Sequence, residues 1–90
     1  MGNGASSYYF KILTRQGKQA VGSKYSYIIN GHMIAGFALV ACPAQYGSAG
    51  IMTFVVSHQG KIYQKDLGPN VIVQRINEYN PDKTWTLVKD

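Results

Sequence analysis

The sequence predicts an α+β fold, an antiparallel sheet of about five strands with one short helix packed on it. Three observations carry that expectation. Two β-type runs flank a glycine turn between Gly50 and Gly68, an Asn-Gly turn stands at Asn30-Gly31, and a stretch of helical period follows Gly68-Pro69-Asn70.

Taken in order, Met1–Ser7 (MGNGASS) reads as a disordered Gly/Ser leader, with residues 8–90 as a single domain. Gly2 and Ser6 formally match the myristoylation spacing, a short motif that such leaders also meet by chance. Tyr8–Thr14 reads as the first strand: Tyr8, Phe10 and Ile12 make a cleanly apolar face, and Gln16-Gly17 closes it. Residues 16–24 form a loop with Gly17 and Gly22. Tyr25–Asn30 is the second strand, turned at Asn30-Gly31 onto a hairpin partner, Ile34–Cys42. That partner is apolar on both faces, which places it centrally in the sheet with cover on each side. Pro43–Gly50 is a loop carrying Tyr46.

The strongest local signal is the hairpin of Ile51–Ser57 and Lys61–Asp66. A two-residue loop would force Gln59 to positive φ, so the expected loop is His58-Gln59-Gly60, with Gly60 left-handed. This register sets Val56 opposite Ile62, Phe54 opposite Gln64, and Val55 opposite Tyr63. Met52, Phe54, Val56 and Ile62 then share one face, and Thr53, Val55, Tyr63 and Lys65 the other. Asn70 offers an N-cap, and Ile72, Ile76 and Tyr79 follow at helical spacing up to the stop at Asn80-Pro81. The β-branched run Val71-Ile72-Val73 argues instead for a strand; the short helix is the preferred reading. Trp85–Val88 fits either an edge strand or an apolar tail.

Composition excludes several functions. Of 90 residues, 46% are hydrophobic and 14% charged, which describes a folded chain. The longest apolar run, Met33–Cys42, is too short to span a bilayer, and no signal-peptide core is present. One cysteine, Cys42, forms no internal disulfide and sits in an apolar run as a small hydrophobe. His32 and His58 stand in turns without ligand spacing, so no metal is expected. Four acids, Asp66, Glu78, Asp82 and Asp90, leave no paired-carboxylate chemistry. Phosphate-loop and dinucleotide fingerprints are absent, and no cofactor and no catalytic residue is assigned. Net charge is +5, and the six basic residues of positions 1–65 face no acid there. They are scattered, without a basic-aromatic block, so nucleic-acid binding is disfavoured.

The segments YYFKILTRQG, GFALVA, PAQYG, MTFVV, KDLG and NPDKTW together resemble the C-terminal part of a bacterial exported family, domain of unknown function 2950. The resemblance runs from about Tyr8 to Trp85 and implies a periplasmic or cell-envelope setting, with no established activity to carry over. The family is usually longer and begins with an export signal, so this chain reads as a fragment or a shortened relative. Gln45 stands where the family more often has an acid, and Gln59-Gly60 where it has Asp-Gly.

The expected function is a non-enzymatic interaction or accessory module of the envelope, with another envelope protein as partner. It would act through its sheet or the Pro43–Gly50 loop, with Tyr46, Tyr63 and Trp85 as contact surface. One alternative is a ligand-binding or hydrolase-like fragment that needs a missing N-terminal half. The other is weak nucleic-acid binding through a basic sheet surface.

Overall fold

A computed structural model of the chain describes residues 7–89. The leader expected at residues 1–7, with Gly2 and Ser6, therefore lies outside the described residues except for Ser7. Nine strands follow: β1 (Tyr8–Leu13), β2 (Arg15–Gln16), β3 (Tyr25–Ser26), β4 (Ile28–Ile29), β5 (His32–Met33), β6 (Ala38–Pro43), β7 (Thr53–Ser57), β8 (Ile62–Lys65) and β9 (Thr86–Leu87). The main sheet has five strands in the order β1-β6-β7-β8-β9, antiparallel throughout. β2–β3 and β4–β5 form two separate short ribbons.

The β7–β8 hairpin has the expected register, with Val56 opposite Ile62, Val55 opposite Tyr63 and Phe54 opposite Gln64. Its loop is the expected one as well. Gly60 N–H donates to the Ser57 carbonyl at 2.9 Å, and Gly60 sits at φ 84°.

Two expectations are corrected. The first concerns β6. Asn30 and Gly31 do turn the chain, at φ 52° and 80°, but the turn joins only β4 to β5. Ile34–Phe37 then lead the chain away, and β6 enters the sheet between β1 and β7. A strand apolar on both faces gains more from two neighbours in a large sheet than from one short ribbon. Gly36, at φ 156°, allows this departure, because a Cβ there would meet the rings of His58 and Tyr27.

The second correction concerns the α+β class. Among the described residues there is no α-helix. Where a helix was expected at residues 71–79, the chain makes a single 3₁₀ turn, Val73–Arg75. Ile72 and Ile76 flank it in extended conformation, and no side chain caps its start. The β-branched residues prevail over the helical spacing, and the segment's backbone bonds go to the loop beside it. Tyr79 N–H donates to the Arg15 carbonyl at 3.0 Å, and Gly17 N–H to the Tyr79 carbonyl at 2.9 Å. Val73 and Tyr79 are nonetheless buried, so the segment still covers the sheet without being a helix. The fold is nearly all β. Trp85–Val88 resolves in favour of an edge strand, β9.

This irregular layer covers one face only. Leu13, Ala38, Val40, Cys42 and Val55 of the sheet meet Ala20, Tyr27, Val73 and Tyr79 in one core. Thr53 and Ser57 lie on the same face and are buried too. A fully buried amide ties the covering layer together. Gln16 Nε2 donates to the carbonyls of Val21 (2.8 Å) and Ser23 (2.6 Å), and its Oε1 accepts from Tyr27 Oη at 3.1 Å. Burial, reinforced by the neighbouring Tyr25 and Tyr79 hydroxyls, pushes the Tyr27 phenol up to about 12. Burial also raises Tyr79, against an opposing hydrogen bond from Ser57.

Gln16→Leu is expected to lower stability by about 2–4 kcal/mol in a urea titration, since it strands the Tyr27 hydroxyl and the Ser23 carbonyl. A pH series supplies a second test. An unfolded tyrosine ionises near about 10, whereas folded Tyr27 holds its proton to about 12. Between these values the native state binds more protons than the unfolded one, so stability must fall as pH rises. The fall from this side chain is at most about 1.4 kcal/mol per pH unit. Tyr27→Phe should flatten that part of the alkaline decline.

Candidate functional site: the open face of the sheet

The strand alternation that sends Leu13, Val40 and Val55 into the core sends their neighbours to the opposite face. Two cross-strand rows result. One runs Phe10–Ala41–Phe54–Gln64–Thr86, the other Ile12–Leu39–Val56–Ile62. Val88 extends the second row, its N–H donating to the Ile62 carbonyl at 2.8 Å. Neither row contains a charged residue.

Ala41 is small, and it stands between Phe10 and Phe54, so the face dips there. The resulting apolar groove has a volume of about 430 Å³ and is walled by Tyr8, Phe10, Phe54 and Ile62. The Tyr8 and Phe54 rings lie 6.2 Å apart, tilted by 49°. Phe10 and Ile12 are 65% and 64% exposed, and Ile62 41%. Leaving a large apolar side chain in water forgoes about 1.5–3 kcal/mol relative to full burial. Three in one uncharged patch is what contact surfaces show.

Tyr46, Tyr63 and Trp85, the residues expected to form a contact surface, do not line this groove. Tyr63 projects from the covered face opposite Val55, and Tyr63 and Trp85 both pack against the core. Tyr46 Oη donates to the Asp66 carboxylate, at 2.7 and 2.8 Å to its two oxygens. That hydrogen bond, with some burial and the carboxylate charge, raises the Tyr46 phenol. Asp66 also accepts from Gly68 N–H at 2.9 Å. Thus the PAQYG and KDLG segments meet, and their polar groups satisfy one another.

NPDKTW has a structural role as well. Asn80 Oδ1 accepts from Gln19 N–H at 2.8 Å, and a Cβ on Gly17 would collide with the Asn80 side chain. Asp82 Oδ1 accepts from Thr84 N–H at 2.8 Å and from the Thr84 hydroxyl. Those bonds hold its carboxyl below the usual range. Lys65 Nζ donates to Thr84 Oγ1 at 2.7 Å, fastening the turn to β8.

Among the described residues no reacting constellation assembles. His58 is engaged by the Phe37 backbone and the Tyr25 hydroxyl, each at 3.3 Å, and lies edge-on to Tyr27. Among the described residues no three of His, Cys, Asp and Glu stand close enough to hold a metal ion. Cys42 is 2% exposed, and burial raises its thiol. Three of the basic side chains are occupied within the protein. Lys11 donates to the Gln74 carbonyl and Asn77, Arg15 pairs with Glu78, and Lys65 holds Thr84. Lys18, Lys24 and Lys61 are exposed and separate in sequence.

These features define an antiparallel β-sheet protein, covered on one side by irregular chain, whose other face is apolar and uncharged among the described residues. Residues 2–88 match the model of the family described as "Protein of unknown function (DUF2950)". The chain belongs to that family. Comparison with curated proteins and with solved structures finds no match. No helix of the described residues is long and apolar enough to cross a membrane.

The groove was hidden in the sequence because β6 is apolar on both faces. The more strongly apolar side of β7–β8, with Phe54, Val56 and Ile62, is the open one, and the side with Thr53 and Ser57 is covered. Periodicity locates faces without saying which is covered. The buried thiol yields a direct check. Cys42 should react with a thiol-specific disulfide reagent at least about a hundredfold more slowly in the native protein than in denaturant. Comparable rates would mean an accessible thiolate.

Proposed function

We propose that this protein is a non-enzymatic interaction module whose contact surface for another polypeptide is the open face of its sheet. The observation that carries the reading is the uncharged groove between Phe10, Phe54 and Ile62. The reading is supported further by the internal engagement of the polar groups in the family segments, which leaves them free of chemistry. The family resemblance supports a bacterial periplasmic or envelope setting, where the partner would be another envelope protein. Tyr46, 36% exposed, remains a candidate for the edge of the contact area.

Site-specific photo-crosslinking in the bacterium that encodes the chain tests this. A photoreactive phenylalanine analogue at Phe54 or Ile62 should form adducts with a polypeptide. The same group at Val21 or Lys83, exposed on the covering layer and on the Asn80–Trp85 turn, should not. Adducts carrying only a lipid or small molecule would replace the reading with ligand binding. Equal yields from all four positions would remove the open face from consideration.

A further inference from the structure

The two-stranded ribbon β4–β5 stands apart from the main sheet. Ile28 pairs with Met33 and Ile29 with His32 across the Asn30-Gly31 turn, and among the described residues no third strand joins them. The base of the ribbon is fixed. Tyr27, fully buried, donates its N–H to the Thr14 carbonyl at 2.8 Å, and its own carbonyl accepts from Ala35 N–H at 2.9 Å. Beyond that base the large side chains are left in water. Ile34 is 71% exposed and Phe37 55%, with Ile28, Ile29 and Met33 between 37% and 47%. None of the five lines the groove of the open face.

Side chains alternate along a strand, so Ile28 and Met33 share one face of the ribbon and Ile29 takes the other. A ribbon packed on a core needs one apolar face and turns a polar one to water. This ribbon is apolar on both and packs neither away. Large exposed apolar residues gathered in one patch mark contact with another body.

Charge narrows what that body can be. From Tyr25 to Gly60 the sequence has no Asp, Glu, Lys or Arg, and Lys24 and Lys61 stand at the two ends of this stretch, both exposed. The fold brings those ends to the base of the ribbon. Lys24 precedes Tyr25, whose hydroxyl lies 3.3 Å from His58 Nε2, in the turn that leads to Lys61. His58 Nδ1 lies 3.3 Å from the Phe37 backbone, and a Cβ on Gly36 would collide with the same imidazole. The acids of the described residues are engaged elsewhere, Glu78 by Arg15, Asp66 by Tyr46 and Asp82 by Thr84.

We propose that the β4–β5 ribbon is a membrane-surface anchor, seated in the interface of a bilayer that carries anionic lipid. Acyl chains surround an inserted segment, which suits isoleucine and methionine exposed on both faces, and the lysines at the base attract anionic headgroups. The same lysines oppose a second copy, since each copy carries +5. Nucleic acid would be met by aromatic stacking, which isoleucine does not provide. Seating is shallow, on the order of 5–10 Å, because the backbone of the Asn30-Gly31 turn and the His32 ring need water or headgroups as partners. The anchor is independent of the open-face reading and leaves that face available to a polypeptide.

Co-sedimentation with vesicles of phosphatidylcholine, alone and mixed with phosphatidylglycerol, tests the anchor. The chain should bind the mixed vesicles, and the neutral ones at least about tenfold more weakly. Ile29→Ser combined with Ile34→Ser removes apolar area without adding charge, and should weaken binding at least about tenfold while the circular dichroism stays native. Lys24→Gln combined with Lys61→Gln should weaken it about as much. Ile62→Ser, in the groove of the open face, should leave it unchanged. A tryptophan placed by Ile29→Trp should shift its emission to the blue on binding and be quenched by bromine-labelled acyl chains. Failure to sediment with mixed vesicles overturns the anchor, and a photoreactive group at Ile29 that then captures a polypeptide gives the ribbon to a protein partner. Binding lost with Ile62→Ser and kept by the ribbon variants overturns it too, and moves the membrane to the groove. Binding that moderate salt abolishes and the serine pair does not change is attraction to a positive surface only, and overturns it as well. Crosslinks from Phe54 report on the open face separately in every case.

Discussion

The covering layer hangs on one buried amide. Gln16 is inaccessible to water, and its side chain is engaged at both ends by Val21, Ser23 and Tyr27. A neutral amide buried without partners would be strongly unfavourable, whereas a fully bonded one defines a single arrangement of the chain around it. Here it closes the loop of residues 17–24 upon itself and sets Tyr27 under that loop, over the covered face of the sheet. Gln59 Nε2, from the hairpin turn, donates to the same Val21 carbonyl at 3.0 Å and links this layer to β7–β8.

The covering segments carry little regular structure of their own, so their backbone groups find partners in one another. The chain at Arg15–Gly17 bonds on one side to Ser26 and Tyr25 and on the other to Tyr79. Residues 71–79 could not satisfy those groups as a helix and also present Val73 and Tyr79 to the sheet. A small all-β domain with one layer of this kind can cover one sheet face. The other face is left to solvent or to a partner. The two faces of the sheet therefore differ: one is packed against the covering layer, and the other is open among the described residues.

The segments that mark the family read as architecture throughout. GFALVA leads into and forms most of the central strand, and MTFVV the strand beside it. PAQYG and KDLG are joined by Tyr46 and Asp66, and NPDKTW is a turn held by its own aspartate and threonine. Leu39, Ala41, Phe54 and Val56 of those two strands also line the open groove.

Local patterns in the sequence were enough for the hairpin. Glycine at position 60, β-branched and aromatic residues on either side, and a side-chain period of two specify its loop and register with no help from the rest of the chain. The same patterns located β1, the Asn30-Gly31 turn and a central, doubly apolar β6, because each depends on residues within a few positions of one another. They were insufficient wherever the choice depended on distant partners. Ile72, Ile76 and Tyr79 have helical spacing, but bonds from Arg15 and Gly17, more than 50 positions away, draw the segment into extended chain. Whether Val55 or Phe54 points inward is a question of which side Gln16 and Tyr27 close over, and alternation is silent on that. The groove exists only once β6 leaves its neighbouring ribbon for the sheet, a decision of tertiary packing.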